Sequence, residues 1–488
     1  MNQDNGGIIG KINTPTTSLA SGVWSLDSQF DSQSSSIWPL AFPNTTIANS
    51  CRFSKADNTY LSKTTGTATN TDICTLSVWI KRSTLSSNDE IIIGEYTNSS
   101  NRAKLLFNAD QLHFFQKTGG STTADVKTTR VFEDSSAWYH IVIAFDTTQS
   151  TDSDRIKFYI NGVQETAFDN TTYPSSGQNI RINESSITQL IGYAGTTNTY
   201  YDGYMAEVVF VDGQQLLPTS FGAFNPVTNI WEPIAYAGTY GTNGFRFDFA
   251  DSSALGNDVS GNDNDYTVNN LTSVDQSADT CSNNFATFNR LIPSTLTYSD
   301  GNLTIERSSG DWESSGSTIA VTKGKWYAEF KWVSGTYTII GVEDMDLVST
   351  WDNEYIGYSA NGRGYGWDGN ARNNASSSSF GNSFSTGDII GVALDMDNKF
   401  VYMSKNGTFQ NSGDPTSGSS GTGGLSLAGS LYTIGASGYS SVVDANFGSP
   451  EFSISSGNSD ANGFGNFEYS VPSGYFSLCT KNLAEFGG

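Results

Sequence analysis

Positive charge is scarce in this chain: 25 Lys and Arg stand against 49 Asp and Glu over 488 residues, a formal net charge of −24 with no basic stripe. Polyanion affinity comes mostly from cations meeting phosphates, so binding to nucleic acid is not expected, and an acidic surface repels anionic lipid headgroups. Long apolar runs are missing too. None approaches the ~20 residues of a membrane span, so no membrane insertion is expected. Cysteine is rare, and Cys51, Cys74, Cys281 and Cys479 form neither a disulfide framework nor a zinc-type pair. Buried thiols are expected, with Cys51 and Cys74 the two that could meet across strands. Only two histidines exist, His113 and His140, each in or beside an apolar run, where a packed core role is the ordinary one. The opening, Met1 to Thr17, has neither a basic start nor an apolar centre, so a chain made in a cytoplasm without a signal peptide is expected.

What is plentiful points to sheets. Aromatics make up 13% of the chain and glycine contributes 50 residues, while proline contributes only 11. Large aromatic side chains supply the buried area that offsets chain entropy, and frequent Gly, Asn and Ser supply turns. In a first block, Leu76, Val78 and Ile80 alternate with Ser77, Trp79 and Lys81; Trp138 to Asp146 is almost continuously apolar; Arg155 to Ile160 alternates and meets Asn161-Gly162. Asn-Gly tolerates the two positive φ angles of a type I′ turn, whose twist matches paired strands. Ala206 to Val211 ends at Asp212-Gly213, the same kind of signal. A second block has strands predicted at Lys325 to Val333, Thr338 to Val342, Asp388 to Met396 and Phe400 to Met403, the last followed by Asn406-Gly407. No stretch of either block carries sustained helical periodicity. The fold class predicted is all-β, two antiparallel sandwiches in tandem behind an extended N-terminal segment.

The divisions follow composition. Residues 1–45 hold Trp24, Phe30 and Trp38 amid polar residues, too little apolar area for a core, so this segment docks on something else. Residues 46–249 form the first sandwich, and 250–289, rich in Asp, Asn, Ser and Gly, read as a linker or long surface loop. Residues 290–488 form the second sandwich with a C-terminal extension.

The first block resembles a laminin-G-like, concanavalin-A-like domain through SVWIKRS (77–83), AWYHIVIAFD (137–146), KFYINGVQ (157–164) and DGYMAEVVFVDG (202–213). The second resembles an SPRY domain through GKWYAEFKW (324–332), IGYSANGRGYGWDG (356–369) and GDIIGVALDMDNKFVYMSKNGTF (387–409). Both resemblances imply jelly-roll sandwiches. Their pairing, with SGVWSLDSQF through IWP (21–39) and the connecting stretch 261–289, is similar to virion proteins of tailed bacteriophages, particularly marine ones. That similarity implies a fibre, tail or head-decoration component on the virion surface. It would be anchored to other virion proteins through Trp24, Phe30 and Trp38, assembled as a homo-oligomer of trimer type, and would attach to a host-surface glycan or protein. The SPRY resemblance places the ligand surface on rim loops, here Trp351, Asp352, Arg363, Tyr365, Trp367 and Asp368. A purely structural role in subunit packing is the alternative.

No catalytic constellation stands out. Concanavalin-like glycoside hydrolases set paired carboxylates on one strand face in an ExDxxE pattern, which this chain lacks. Glu343-Asp344-Met345-Asp346 has the wrong spacing and reads as a solvated turn at a strand end. The chain is therefore expected not to be an enzyme, with a polysaccharide-degrading activity the weakest alternative. No cofactor is required by this reading. Calcium is the one the laminin-G resemblance allows, with Asp57 and Asp202, and the Asp251, Asp258, Asp263 series, as oxygen donors.

Overall fold

The computed structural model describes residues 45–85, 88–195, 199–226, 228–348 and 353–487. Trp24, Phe30, Trp38, Trp351 and Asp352 lie outside the described residues.

The first region is built from two antiparallel eight-stranded sheets facing one another. In one, Trp138–Asp146 pairs with Ile73–Arg82, which pairs with Gly203–Asp212, which pairs with Ser50–Phe53. The other runs from Phe168–Thr172 through the meander 90–131 to Thr188–Ile191 and Tyr60–Thr64. The alternation at Leu76, Val78 and Ile80 puts those side chains between the sheets with Ile141, Ile143, Phe145, Phe114 and Leu105. Their neighbours are also buried: Trp79 and Ala206 lie under Ile47 and Trp231, while Val142, Val209 and Val211 lie under Phe221. Segment 214–240 thus covers the outer face of this sheet, so its strands read apolar on both faces.

Asn161-Gly162 adopts φ of 48° and 79° and turns Ile156–Ile160 into Val163–Gln164. Asp212-Gly213 makes no hairpin. The Asp212 carboxylate is buried and accepts from the backbone N–H of Thr69 (2.7 Å) and Asn243 (3.0 Å) and from Asn183 Nδ2 (2.8 Å). Cys51 and Cys74 are free thiols and do not face each other across paired strands. Their strands flank Gly203–Asp212 on opposite sides.

Stretch 250–289, expected as a linker, is tied into the fold. Phe245–Phe247 just before it pairs with Gly203–Asp212, Thr267–Asn269 pairs with Tyr60–Thr64, and Gln276–Ser277 pairs with Ser50–Phe53. Its Asp and Asn side chains cap turns: Asp258 accepts from the backbone N–H of Arg246, Ser260 and Asn264. Asp279 then receives the buried Lys81 ammonium at 2.8 Å and the Trp138 indole N–H at 3.1 Å. Polar composition here supplies local caps, and few large apolar residues are needed when strands join sheets already built.

The second region centres on Lys325–Asp344, a single 20-residue strand where two shorter ones were predicted. From Glu329 onward it pairs with Tyr432–Asn446, with a register shift between Trp332 and Ser334. Its first half also pairs with Ile389–Asp395 and its second half with Arg363–Gly366. The bent strand therefore serves both layers of the sandwich. At the bend, Gly335 has φ of 109°, and a Cβ there would lie 2.1 Å from the Ser440 carbonyl oxygen, so only glycine fits. Trp326, Phe330, Ile340, Val342, Val392, Met403 and Val443 fill the space between the layers. Among the described residues one α-helix, Thr480–Phe486, follows the second sandwich.

Candidate functional site: an aromatic plate on the second sandwich

Residue alternation after the bend decides what faces outward. Ile340 and Val342 enter the core, so Tyr337 and Ile339 occupy the opposite face. Tyr439 lies directly across from Tyr337 on the paired strand, ring centroids 5.5 Å apart. Trp367, just past strand Arg363–Gly366, sits 4.3 Å from the Tyr337 ring. Trp312 joins from a distant segment, 5.7 Å from Trp367, 5.4 Å from Tyr439 and 5.5 Å from Tyr355, which in turn meets Tyr358 at 5.4 Å. These six rings form one contiguous patch, the plate, in which neighbouring ring planes are tilted by 31° to 85°. Tyr337 is 37% and Tyr358 41% exposed, and the other four are partly buried.

Polar groups border it. The Arg372 guanidinium lies 5.4 Å over the Trp367 ring and donates from Nη2 to Asp368 Oδ2 at 2.8 Å. Asp368 also accepts from Asn370 Nδ2 at 2.7 Å. A planar cation stacked on an indole and held by a carboxylate is fixed in orientation. Aromatic faces beside oriented hydrogen-bonding groups suit sugar rings, whose flat C–H faces stack and whose hydroxyls bond sideways.

The structure separates the expected ligand residues. Trp367 and Asp368 are on the plate. Tyr365 is not available: it is wholly buried, packed edge-on against Phe380 (5.4 Å) and tilted against Phe384 (5.0 Å), and its hydroxyl donates to the Asn382 carbonyl. Strand alternation sends it inward, a point the loop-like composition around it concealed. Arg363 lines a groove of about 360 Å³ with Arg372, Asn373, Ser376, Ser377 and Ser426. Sequence reading missed Trp312, Tyr337, Tyr355, Tyr358 and Tyr439. Only the outward parity of Tyr337 and Ile339 signalled any of them; the rest converge from segments far apart in the chain.

Glu343 and Asp344 are not a solvated turn. Both are buried, and Glu343 accepts from the Gly357 N–H at 2.7 Å and from the Ser359 hydroxyl, pinning the loop that carries Tyr355 and Tyr358. Burial pushes the Glu343 carboxyl upward, against the hydrogen bonds from Ser359 and Gly357. His140 is a core residue: the Trp231 indole donates to Nδ1 at 2.9 Å, which leaves Nε2 to carry the proton and donate to Ser77 Oγ at 2.8 Å. Burial lowers its pKa to about 3.

Asp202 is buried and its carboxylate accepts from the Thr84 hydroxyl and the Lys55 N–H, while Asp57 sits in an exposed turn. Asp251 caps Ser253 through its N–H and hydroxyl. Among the described residues no group of three His, Cys, Asp or Glu gathers to hold a metal.

Comparison with known proteins agrees with the first sandwich. Residues 55–215 match the family model described as the concanavalin A-like lectin/glucanases superfamily. That stretch folds as a jelly roll similar to this superfamily. No curated protein matches the chain. Among solved structures, the SPRY domain of human HERC1 is 19% identical, covering 32% of this chain and 96% of that one, TM-score 0.26. A heptameric SAP-like pentraxin from Limulus polyphemus is 16% identical over 35% and 79%, TM-score 0.27. Domain 4 of AbnA, an extracellular arabinanase from Geobacillus stearothermophilus in complex with arabinotriose, is 14% identical over 31% and 65%, TM-score 0.24.

Proposed function

We propose that this chain is a non-enzymatic attachment protein that binds surface glycans through the aromatic plate of its second sandwich. The observation that carries the reading is the plate itself: six partly exposed rings bordered by an oriented Arg372–Asp368 pair. A concanavalin-A-like fold in the first sandwich agrees with a carbohydrate-binding setting without locating a site there. The resemblance of 21–39 and 261–289 to phage virion proteins supports display on a virion, with residues 1–45 as the anchor. Repeated display on one particle raises avidity by ~10²–10⁴, so each plate need bind only weakly.

A glycan array probed with the full chain and with a Tyr337→Ala/Trp367→Ala double variant tests this. Glycan signal lost in the variant, with an unchanged circular dichroism spectrum, is expected; no signal from the full chain, or chain shortening of a bound polysaccharide, overturns it. The virion setting is tested separately, since deleting residues 1–45 should prevent incorporation into particles. The exposed rings also favour a second reading, in which the plate is the contact between subunits of a trimer. In that case the double variant lowers the mass in analytical ultracentrifugation.

A further inference from the structure

The groove beside the plate collects cationic groups in a chain of net charge −24. It lies where the edge strand Ser376–Ser379 approaches the short strand Leu425–Ser426, and its volume of about 360 Å³ is in the range of small-ligand pockets. Arg363 is its distinctive wall. The guanidinium is half-buried, donates from Nη1 to the Gly362 carbonyl (2.7 Å) and the Ala360 carbonyl (3.3 Å), and has no carboxylate within ion-pair distance among the described residues. Burial lowers its pKa. Arg372, on the neighbouring strand, is 93% buried by its 7% exposure, and its Nη1 has no hydrogen-bond partner although Nη2 holds Asp368. A half-desolvated guanidinium without a contact counter-ion, as at Arg363, and a buried N–H without an acceptor, as at Arg372 Nη1, are both costly, and a ligand anion relieves both. Serine hydroxyls at 376, 377 and 426 and the Asn373 amide line the remaining wall as uncharged hydrogen-bonding groups.

We infer that the groove is an anion-selecting subsite, and that the glycan taken by the plate is an acidic polysaccharide whose carboxylate or sulfate ester sits at Arg363. Arg372 joins the two parts, since it lines the groove and lays its guanidinium over Trp367. The acidic surface does not forbid such a ligand. At ~0.15 M salt the Debye length is about 8 Å, so repulsion from distant carboxylates is screened while the contact pair in the groove persists. This inference rests on the attachment reading, and the experiment separates the two.

Three polymers with one backbone serve as probes: plain dextran, carboxymethyl dextran and dextran sulfate, titrated against the full chain at 0.15 M salt by calorimetry. At least one charged form is expected to bind at least tenfold more tightly than plain dextran, and whichever form does so identifies the acid group. Arg363→Gln should abolish that preference, and Arg363→Lys should restore part of it. Plain dextran bound through Trp367 with no charge preference overturns the anion subsite and leaves glycan attachment standing. Charged forms bound equally by the parent and Arg363→Gln also overturn it, as does failure of every charged form to bind. Attachment itself is then judged by the glycan array.

Discussion

The two sandwiches solve the same problem in different ways. The first keeps its charges inside. Arg82 and Glu90 pair at 2.9 Å with both side chains fully buried, Arg82 also meets Asp110 at 2.8 Å, and Lys81 meets Asp279 at 2.8 Å, each about 1% exposed. Its outer sheet face is then sealed by Phe221 and Trp231. The second also buries carboxylates but holds several of them with neutral donors: Glu329 accepts from the backbone N–H of Glu468 and Tyr469 and Glu343 from that of Gly357, while hydroxyls meet between Ser314 and Ser437 and between Ser317 and Thr433 at 2.9 Å, and aromatic rings on its outer face stay partly open. A buried ion pair demands that every partner stay in place, because one removed partner strands the other charge in a low-dielectric interior. The first region is accordingly built as a closed body, and the second is the one with a surface to offer.

That contrast can be broken most directly at Arg82. Arg82→Ala leaves Glu90, whose carboxyl burial already raises to about 7, without its cation, and a loss of about 3–5 kcal/mol is expected in urea unfolding. A loss under about 1 kcal/mol would erase the distinction between the regions. Where the regions meet, Arg52 of the first donates to the Pro450 carbonyl (3.3 Å) of the second. Next to it, burial and then the hydrogen bond and charge of Asp444 raise Glu451 to about 8, from an ordinary 4.5. Because the folded value lies above the unfolded one, the folded state binds the proton more tightly. Its stabilisation is complete below about pH 4.5 and is lost as pH rises to about 8. Glu451→Gln should flatten this slope and stabilise the chain at pH 8 by on the order of 2 kcal/mol, read as a shift in melting temperature. Equal pH profiles in parent and variant would contradict this.

His140→Ala sharpens the comparison further, since it orphans the Trp231 indole and the Ser77 hydroxyl and opens the seal over the first sheet. About 2 kcal/mol of destabilisation is expected by thermal denaturation. Tyr337→Ala should do least to the fold, under about 1 kcal/mol by the same measurement, because its ring is 37% exposed. Its effect belongs in binding, where at least a tenfold loss of glycan affinity is expected on the array hit. A Tyr337→Ala chain that melts like Arg82→Ala would make the plate structural cover.

Much of the architecture was readable from strands of alternating and continuous apolar pattern. Trp138–Asp146 coincides with its predicted bounds, and the two Asn-Gly turns stand where expected. Reading failed where a residue's role depends on a distant partner. Stretch 250–289 looked like a linker because its polar side chains cap turns between short strands that pair with strands from distant parts of the chain. Glu343 looked solvated because its partners, Gly357 and Ser359, come from a later loop. Tyr365 looked like a ligand residue because glycines around it hid its inward parity.

The amino-acid order by itself determined the all-β class, the two-sandwich layout and the two Asn-Gly turns, because side-chain alternation and left-handed backbone tolerance are properties of a few consecutive residues. Only tertiary structure decided which aromatics meet. Trp312, Tyr337, Tyr355, Trp367 and Tyr439 come from separate strands and loops, and their distances are set by sheet register and by the bend at Gly335. Register and bend are settled by packing across the whole sandwich, a cooperative quantity that no local pattern carries.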